Sequence, residues 1–192
     1  AAPSTDRPRE RLWQVRAARV VIAAGSIERP LVFPGNDRPG VMLASAARTY
    51  LHRYGVAVGQ NVVLVTGSDA AYAAALDLHA AGVRVALIAD VRADATGAPL
   101  DLARQAGIEV VMGATVLGTR GRLGVREVTI GVLARGTIND TRRVKCDALL
   151  VSGGYTPSVH LFSQSRGKLE FNEARQAFLP SVSAEPESSA GS

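Results

Sequence analysis

The sequence predicts an α/β protein of three layers, in which a parallel sheet is combined with an antiparallel β-meander. First, residues 61–90 read as a strand, a turn of small residues, a helix and a second strand. Second, the pattern changes after residue 112 to short alternating stretches at 115–119, 124–133 and 142–145. Third, apolar strand ends at 19–26 and 147–154 flank this region. One module is therefore expected to interrupt another.

The individual elements follow from apolar periodicity and from glycine and proline. Short strands are predicted at 12–16 and 20–23, the second as an apolar run buried on both faces. Prolines at 30, 34 and 39 exclude regular helix there. Helices are predicted at 41–54, 70–81 and 99–106, each followed by a glycine. Strands are predicted at 61–65, 83–89 and 108–112, and a buried strand is predicted at 148–151.

The segment 61–90 has the layout of a dinucleotide-binding βαβ unit, a Rossmann-like arrangement. In such a unit the pyrophosphate lies at the helix N-terminus, where free N–H groups and the helix dipole favour an anion. The fingerprint positions hold Thr66, Ser68 and Ala71, with Gly67 between the first two. All four residues are small, so a pyrophosphate could approach the backbone. The alternative is a unit that keeps the fold but has lost the ligand.

Asp90 ends the second strand, where an acid can accept hydrogen bonds from a ribose 2′-hydroxyl and so favour NAD over NADP. Arg84 and Arg92 are close in sequence and could bind a 2′-phosphate instead. Asp90 could also simply begin a surface turn. Asp69 and Tyr72, near the helix start, could contact a ligand, although Asp69 is more simply explained as a capping or first-turn acid.

The composition and charge of the chain argue against several functional classes of protein. Hydrophobic residues make up 47% of the 192 residues, which allows a core, and no apolar run approaches the roughly 20 residues of a membrane span. The net charge of +5 comes from arginines spread along the chain, which argues against nucleic-acid binding. Cys146 is the only cysteine, which excludes an internal disulfide and favours the cytoplasm. Three scattered histidines predict no metal site.

Four stretches carry a resemblance to a known family: ERPLVF, NDRPGVMLASA, TYLHRYGV and SGGYTPSVHLFSQSRGKL. They resemble the alpha subunits of heterotetrameric sarcosine oxidases, a branch of the pyridine-nucleotide-dependent flavoproteins, in which an NAD domain interrupts an FAD domain. The resemblance implies an FAD/NAD(P)-binding fold, and it covers about residues 12–178. It implies FAD-domain remnants at 1–40 and 148–180 around an NAD-binding domain at 41–147. Composition predicts a disordered tail at 181–192.

The resemblance also implies a function. The family catalyses the folate-linked oxidative demethylation of sarcosine, with the flavin chemistry mainly on the beta subunit, whereas the alpha subunit holds NAD. The NAD site carries over to Thr66, Gly67, Ser68, Asp69 and Asp90, and no catalytic residue carries over. The implied partners are the flavin-bearing beta subunit together with the other subunits of the complex, and FAD belongs to the full-length assembly.

The sequence departs from the family pattern at both ends. It lacks the glycine-rich FAD fingerprint expected before residue 12 and the folate-binding module expected after the flavoprotein part. We therefore expect a middle segment that is inactive alone and that self-associates through its exposed remnants. Two alternatives stay open. One is the alpha subunit of a related hydroxyproline or opine dehydrogenase, and the other is a non-catalytic Rossmann-like scaffold that docks a partner subunit.

Overall fold

The computed structural model describes residues 10–134 and 137–191. The chain forms two compact units. The larger is Ile27–Thr156, and the smaller combines Ala1–Ser26 with Pro157–Ser192.

The strands, in chain order, are β1 (Val20–Ile22), β2 (Ser26–Glu28), β3 (Val41–Leu43), β4 (Asn61–Thr66), β5 (Arg84–Asp90), β6 (Val110–Met112), β7 (Ala114–Arg120), β8 (Glu127–Ala134), β9 (Thr137–Lys145), β10 (Ala148–Ser152), β11 (Tyr155–Pro157), β12 (Lys168–Asn172), β13 (Ala177–Val182) and β14 (Glu187–Ser189). The helices are α1 (Ala44–Tyr54), α2 (Tyr72–Ala80), α3 (Ala98–Gln105) and α4 (His160–Gln164), and a 3-10 turn over Asp69–Ala71 precedes α2.

A parallel sheet with the order β3-β10-β4-β5-β6 forms the middle of the larger unit. Its central strands β4 and β10 are almost entirely buried, as expected for a parallel sheet that is covered on both faces. The register pairs Ser152 with Thr66 and Thr66 with Asp90. The last residues of three neighbouring strands therefore lie side by side at the carboxyl edge of the sheet.

The two faces of this sheet are covered by different layers. On one face, Ala47, Leu78 and Leu100 from the three helices pack with the sheet residues Val62 and Leu64. On the other face, the antiparallel sheet β7-β8-β9 packs against the alternate sheet residues Val63, Val65, Leu87 and Leu149. Successive strand residues point to opposite faces, so both cores are built from the same strands. The predicted three-layer α/β fold with a β-meander is confirmed.

The predicted helix at 41–54 is wrong in its first turn. Val41–Leu43 form β3 and pair with β10, and α1 begins only at Ala44. Along α1, Tyr50 and Tyr54 are exposed, while Ala44 and Ala47 are fully buried. Small alanine side chains let the helix lie close to the sheet. Gly55 ends the helix, as predicted, and it adopts the left-handed conformation.

The smaller unit contains two strand pairs. β1 pairs in parallel with β14, and β12 pairs with β13 as an antiparallel hairpin. The prediction that β1 is buried on both faces was wrong, because Val20 and Val21 are 50% and 66% exposed. Residues 12–16, predicted as a strand, are irregular. β14 lies in the segment whose composition predicts disorder.

The division of the chain also differs from the predicted domain boundaries. The sequence predicts boundaries near residues 40 and 147, whereas the structure divides after Ser26 and after Thr156. β10 lies between β3 and β4 in one hydrogen-bonded sheet, so 148–152 belong to the larger unit. No helix in the described part of the chain is long and apolar enough to cross a membrane.

Cys146 is buried beside the meander core. Burial raises the pKa of its thiol to about 12, with the nearby carboxylates of Asp147 and Glu127 adding to the effect. The thiol is therefore uncharged at neutral pH and behaves as a small apolar side chain.

Asp77 of α2 joins its helix to α1. Its Oδ2 accepts a hydrogen bond from Arg48 Nε at 2.5 Å and lies 2.7 Å from His52 Nε2. Burial raises the pKa of Asp77, but the hydrogen bonds from His52 and Arg48 outweigh burial, so its pKa lies below the ordinary value.

We predict that Asp77→Asn lowers the free energy of unfolding by about 0.5–1 kcal/mol at pH 7, because the partner side chains of Arg48 and His52 are both about half exposed. Since the folded-state pKa is depressed, Asp77 stabilises the fold above its unfolded-state pKa. That stabilisation is lost as pH falls through the folded-state pKa. Urea titrations at several pH values should show the two proteins converge in acid. Asp94→Asn, at an exposed loop position, is the control, and an equal loss there would contradict the assignment.

Candidate functional site

The candidate site lies at the carboxyl edge of the parallel sheet. Three polar residues, Thr66, Asp90 and Ser152, end β4, β5 and β10 and are fully buried. In open α/β sheets, ligands bind outside the carboxyl ends of the strands. Two of these residues, Thr66 and Asp90, are predicted site residues, and they lie at the sheet edge where such folds bind ligands.

The turn after β4 is held by its own side chain. Thr66 Oγ1 accepts the Ser68 N–H at 2.9 Å and donates to the Ser68 carbonyl at 2.9 Å. The Gly67 N–H donates to the Ser152 carbonyl at 2.9 Å, which ties the turn to β10. The chain then passes through extended Ser68 into the 3-10 turn, so α2 begins at Tyr72 and not at the predicted residue 70.

Glycine at position 67 permits close packing. A Cβ there would lie 3.0 Å from Val91 Cγ2, a contact that would require the neighbour to shift. The small turn therefore lies directly against the segment that follows β5, and a larger residue at this position would separate the two.

The Ser152 hydroxyl is the clearest sign that this edge fits a polar ligand. It is fully buried and has no hydrogen-bond partner among the described residues. Buried polar groups are almost always hydrogen-bonded, so such a group calls for an explanation. A dinucleotide, whose phosphates and ribose hydroxyls offer acceptors and donors, fits a donor set of backbone amides and this hydroxyl.

Asp90 accepts four hydrogen bonds. Its Oδ1 accepts the Arg92 backbone N–H and Arg92 Nε, both at 3.0 Å. Its Oδ2 accepts the Tyr72 hydroxyl at 2.8 Å and Arg92 Nη2 at 2.7 Å. A carboxylate has about four lone-pair positions, and all of them are filled here. Asp90 is thus a buried anchor and not the start of a surface turn.

The electrostatics of this cluster favour full ionisation. Burial raises the pKa of Asp90, but the hydrogen bonds from Arg92 and Tyr72 outweigh it, so the pKa lies below its ordinary value. The hydrogen bond to Asp90 raises the pKa of Arg92 above its already high value. Burial, followed by the hydrogen bond to Asp90, raises the pKa of Tyr72, which stays protonated and donates.

Arg92 also reaches Asp69, in the 3-10 turn. Its Nη2 donates to Asp69 Oδ1 at 2.7 Å, and the two side chains are 31% and 52% exposed. The chain of contacts from Tyr72 through Asp90 and Arg92 to Asp69 therefore runs from the core to the surface. We call these four residues the Asp90 cluster.

A second polar group lies near the start of α1. Glu28 is buried, and its Oε2 accepts the Ser45 backbone N–H at 2.9 Å and the Ser45 hydroxyl. Its other oxygen has no partner among the described residues. Burial, and then the Glu28 charge, raises the pKa of Tyr155. A cavity of about 360 Å³ between α1 and α2 is lined by Ser45, Arg48, Thr49, His52, Ala70, Ala71, Ala74 and Tyr155.

The structure shows which of the predicted site residues lie close together. The turn residues 66–69 and Asp90 come together, and Arg92 joins them. Arg84 lies at the opposite end of β5, opposite Asn61, and is remote from the site. Sequence reasoning missed Glu28, Ser152 and Tyr155, since a lone acid, serine or tyrosine outside a motif carries no local signal. Across residues 10–134 and 137–191, no group of three or more His, Cys, Asp or Glu side chains could hold a metal ion.

Comparison with known proteins identifies the family. The model of the pyridine nucleotide-disulphide oxidoreductase family matches residues 5–181, so the chain belongs to this family. It is 40% identical over 186 residues to the sarcosine oxidase alpha subunit of Corynebacterium sp. (strain P-1), covering 95% of this chain and 19% of that protein. The corresponding Rhizobium meliloti protein is 40% identical over 177 residues, covering 92% and 17%. The chain thus spans under a fifth of the length of these relatives.

More distant relatives and solved structures agree on the fold. One subunit of the opine oxidase of Agrobacterium tumefaciens is 29% identical over 184 residues, covering 86% of this chain and 36% of that protein. The structure of L-proline dehydrogenase from P. horikoshii matches with a TM-score of 0.58 at 25% identity, covering 90% of this chain and 29% of that chain. Thioredoxin reductase of T. acidophilum matches with a TM-score of 0.67 at 17% identity, covering 90% and 56%, and shows the fold alone.

We predict that Tyr72→Phe lowers the free energy of unfolding by about 1.5–3 kcal/mol, because it removes a hydrogen bond to a buried charged carboxylate. Urea denaturation at pH 7 measures this loss. Tyr50→Phe, at an exposed position of α1, is the matched control and should change stability by less than about 0.5 kcal/mol. Equal small effects at both positions would mean that the Tyr72 hydroxyl does not support Asp90.

Proposed function

We propose that this member of the pyridine nucleotide-disulphide oxidoreductase family binds NAD at the carboxyl edge of its parallel sheet, as a segment of the alpha subunit of a sarcosine-oxidising flavoenzyme. The observation that carries the proposal is the 40% identity to sarcosine oxidase alpha subunits over about nine-tenths of the chain. The turn after β4 is the place where we propose that the pyridine nucleotide binds.

The residues have distinct roles in this proposal. Thr66, Gly67 and Ser68 hold the compact turn, and the N–H groups that follow it would face the pyrophosphate. Asp69 and Asp90, with Arg92, lie on the side of β5, where the adenosine ribose is expected. NAD, when bound, supplies a nicotinamide ring that can accept a hydride. The described residues provide binding and orientation, and we assign none of them to chemistry.

We infer that the larger unit, Ile27–Thr156, is the pyridine-nucleotide unit and that the smaller unit belongs to the flavin domain. The inference is supported by the parallel pair β1 and β14, since parallel strands normally lie inside larger covered sheets. A cavity of about 640 Å³ in this unit is lined by Ala24, Gly25, Gly191 and neighbouring residues. Small residues at strand ends are suited to close approach by a cofactor, and FAD is the group expected there in the full-length assembly.

For the whole enzyme we propose the folate-linked oxidative demethylation of sarcosine in the cytoplasm. The flavin-bearing beta subunit, with the other subunits of the complex, would be the partner. The catalytic amine site would lie mainly on the beta subunit, as the resemblance implies. The isolated segment is therefore expected to be inactive.

A second candidate is the alpha subunit of a related hydroxyproline or opine dehydrogenase. The similarity to the opine oxidase protein supports this candidate. The support is weaker than for sarcosine oxidase, because the identity is 29% against 40%. A third possibility is a non-catalytic scaffold in which the Rossmann-like unit only docks a partner. Nucleotide binding separates the scaffold from both enzyme candidates.

We predict that the purified chain binds NAD with saturation at one site, as measured by titration calorimetry and by an increase in melting temperature. Ser68→Glu should weaken binding at least roughly tenfold, because its carboxylate would meet the pyrophosphate, a like charge. The Ser68 backbone bonds do not depend on its side chain, so the fold should persist.

Ser163→Glu is the matched control, since Ser163 is an exposed serine of α4 in the smaller unit. It should bind NAD as the parent does. A parent protein that gives neither heat nor a thermal shift with NAD would refute the binding proposal and favour the scaffold.

A further inference from the structure

The acid that is expected to bind the ribose is already occupied. Asp90 is fully buried, and its two oxygens accept four hydrogen bonds from Tyr72 and Arg92. Binding a ribose hydroxyl would require one of these bonds to break, which leaves a buried donor unsatisfied. The ribose must therefore meet another group.

Two polar atoms of the Asp90 cluster remain available. Within the part of the chain that the structure describes, Arg92 Nη1 and Asp69 Oδ2 take part in no hydrogen bond, while Arg92 Nη2 bridges Asp90 and Asp69. Both side chains are partly exposed. One atom is a donor and the other an acceptor, which suits a hydroxyl that both accepts and donates.

We propose that Arg92, held by Asp90, contacts the adenosine ribose of the bound dinucleotide, and that Asp69 sets the preference for a ribose without a 2′-phosphate. This inference rests on the proposed NAD site. It replaces the predicted direct contact from Asp90 with a contact made through Arg92.

The guanidinium is fixed in position. Arg92 Nε and Nη2 form a two-pronged bond to the Asp90 carboxylate, and the Arg92 backbone N–H bonds to the same group. Tyr72 ties that carboxylate to the start of α2. Asp90 is thus a positioning residue, because its effect on the ligand passes through Arg92.

Charge explains the preference. Asp69, Asp90 and Arg92 together carry two negative charges and one positive charge, so a 2′-phosphate would approach a net negative cluster. Asp69 also competes with a phosphate for Arg92 Nη2. Removing the Asp69 charge would leave Arg92 with a free donor and would turn the same arginine into a phosphate ligand.

The test compares the affinities of NAD and NADP by titration calorimetry. The parent should bind NAD more tightly. Asp69→Asn should raise the NADP affinity relative to NAD by roughly tenfold, and this change should disappear in the Asp69→Asn/Arg92→Gln double variant. Arg84→Gln, at the far end of the same strand, is the control and should leave the ratio unchanged.

The role of Asp90 is tested by the same ratio. Asp90→Asn should shift the ratio towards NADP, and the shift should vanish when Arg92→Gln is added, whereas a direct ribose contact by Asp90 would preserve it. The melting temperature of each variant would be measured to check that the variant is folded. An unchanged ratio in Asp69→Asn, with NAD still bound, would overturn this inference and leave the proposed function intact. A parent that binds neither nucleotide would overturn both.

Discussion

The buried Asp90 carboxylate is the interaction on which the candidate site depends. A charge removed from water must be compensated, and here two side chains and one backbone amide provide the compensation. The hydrogen bond from Tyr72 attaches the start of α2 to Asp90, and the hydrogen bonds from Arg92 attach the loop that follows β5. One carboxylate therefore joins a strand end, a helix start and a loop into a single polar edge.

The parallel sheet makes this edge possible. Because β10, β4 and β5 run in the same direction and in register, Ser152, Thr66 and Asp90 lie in a row. The helical layer and the meander cover the two faces, so we expect a ligand to approach the sheet at the segments that follow the strand ends. The chain that supplies β10 follows the meander in sequence, so the meander is an insertion that returns the chain to the centre of the sheet.

The local parts of this arrangement could be predicted from the sequence. The pattern of 61–90 predicts β4, the small turn, a helix and β5, and glycines mark the helix ends. The strand nature of Val41–Leu43 could not be predicted, since it depends on pairing with β10, more than one hundred residues away. The hydrogen-bond partners of Asp90 could not be predicted from the sequence either. Spacing shows that an acid ends a strand, but only packing shows that Tyr72 and Arg92 saturate it.

The most direct test of this account is the titration of the Asp90 side-chain carboxyl by carbon-13 NMR, from neutral pH to the acid limit of the folded protein. A carboxylate bound by Arg92 and the Tyr72 hydroxyl should stay ionised, with a pKa below the ordinary value of about 3.9. A buried carboxyl without these donors would titrate above that value, because burial alone disfavours the charged form. A pKa above the ordinary value would contradict the account.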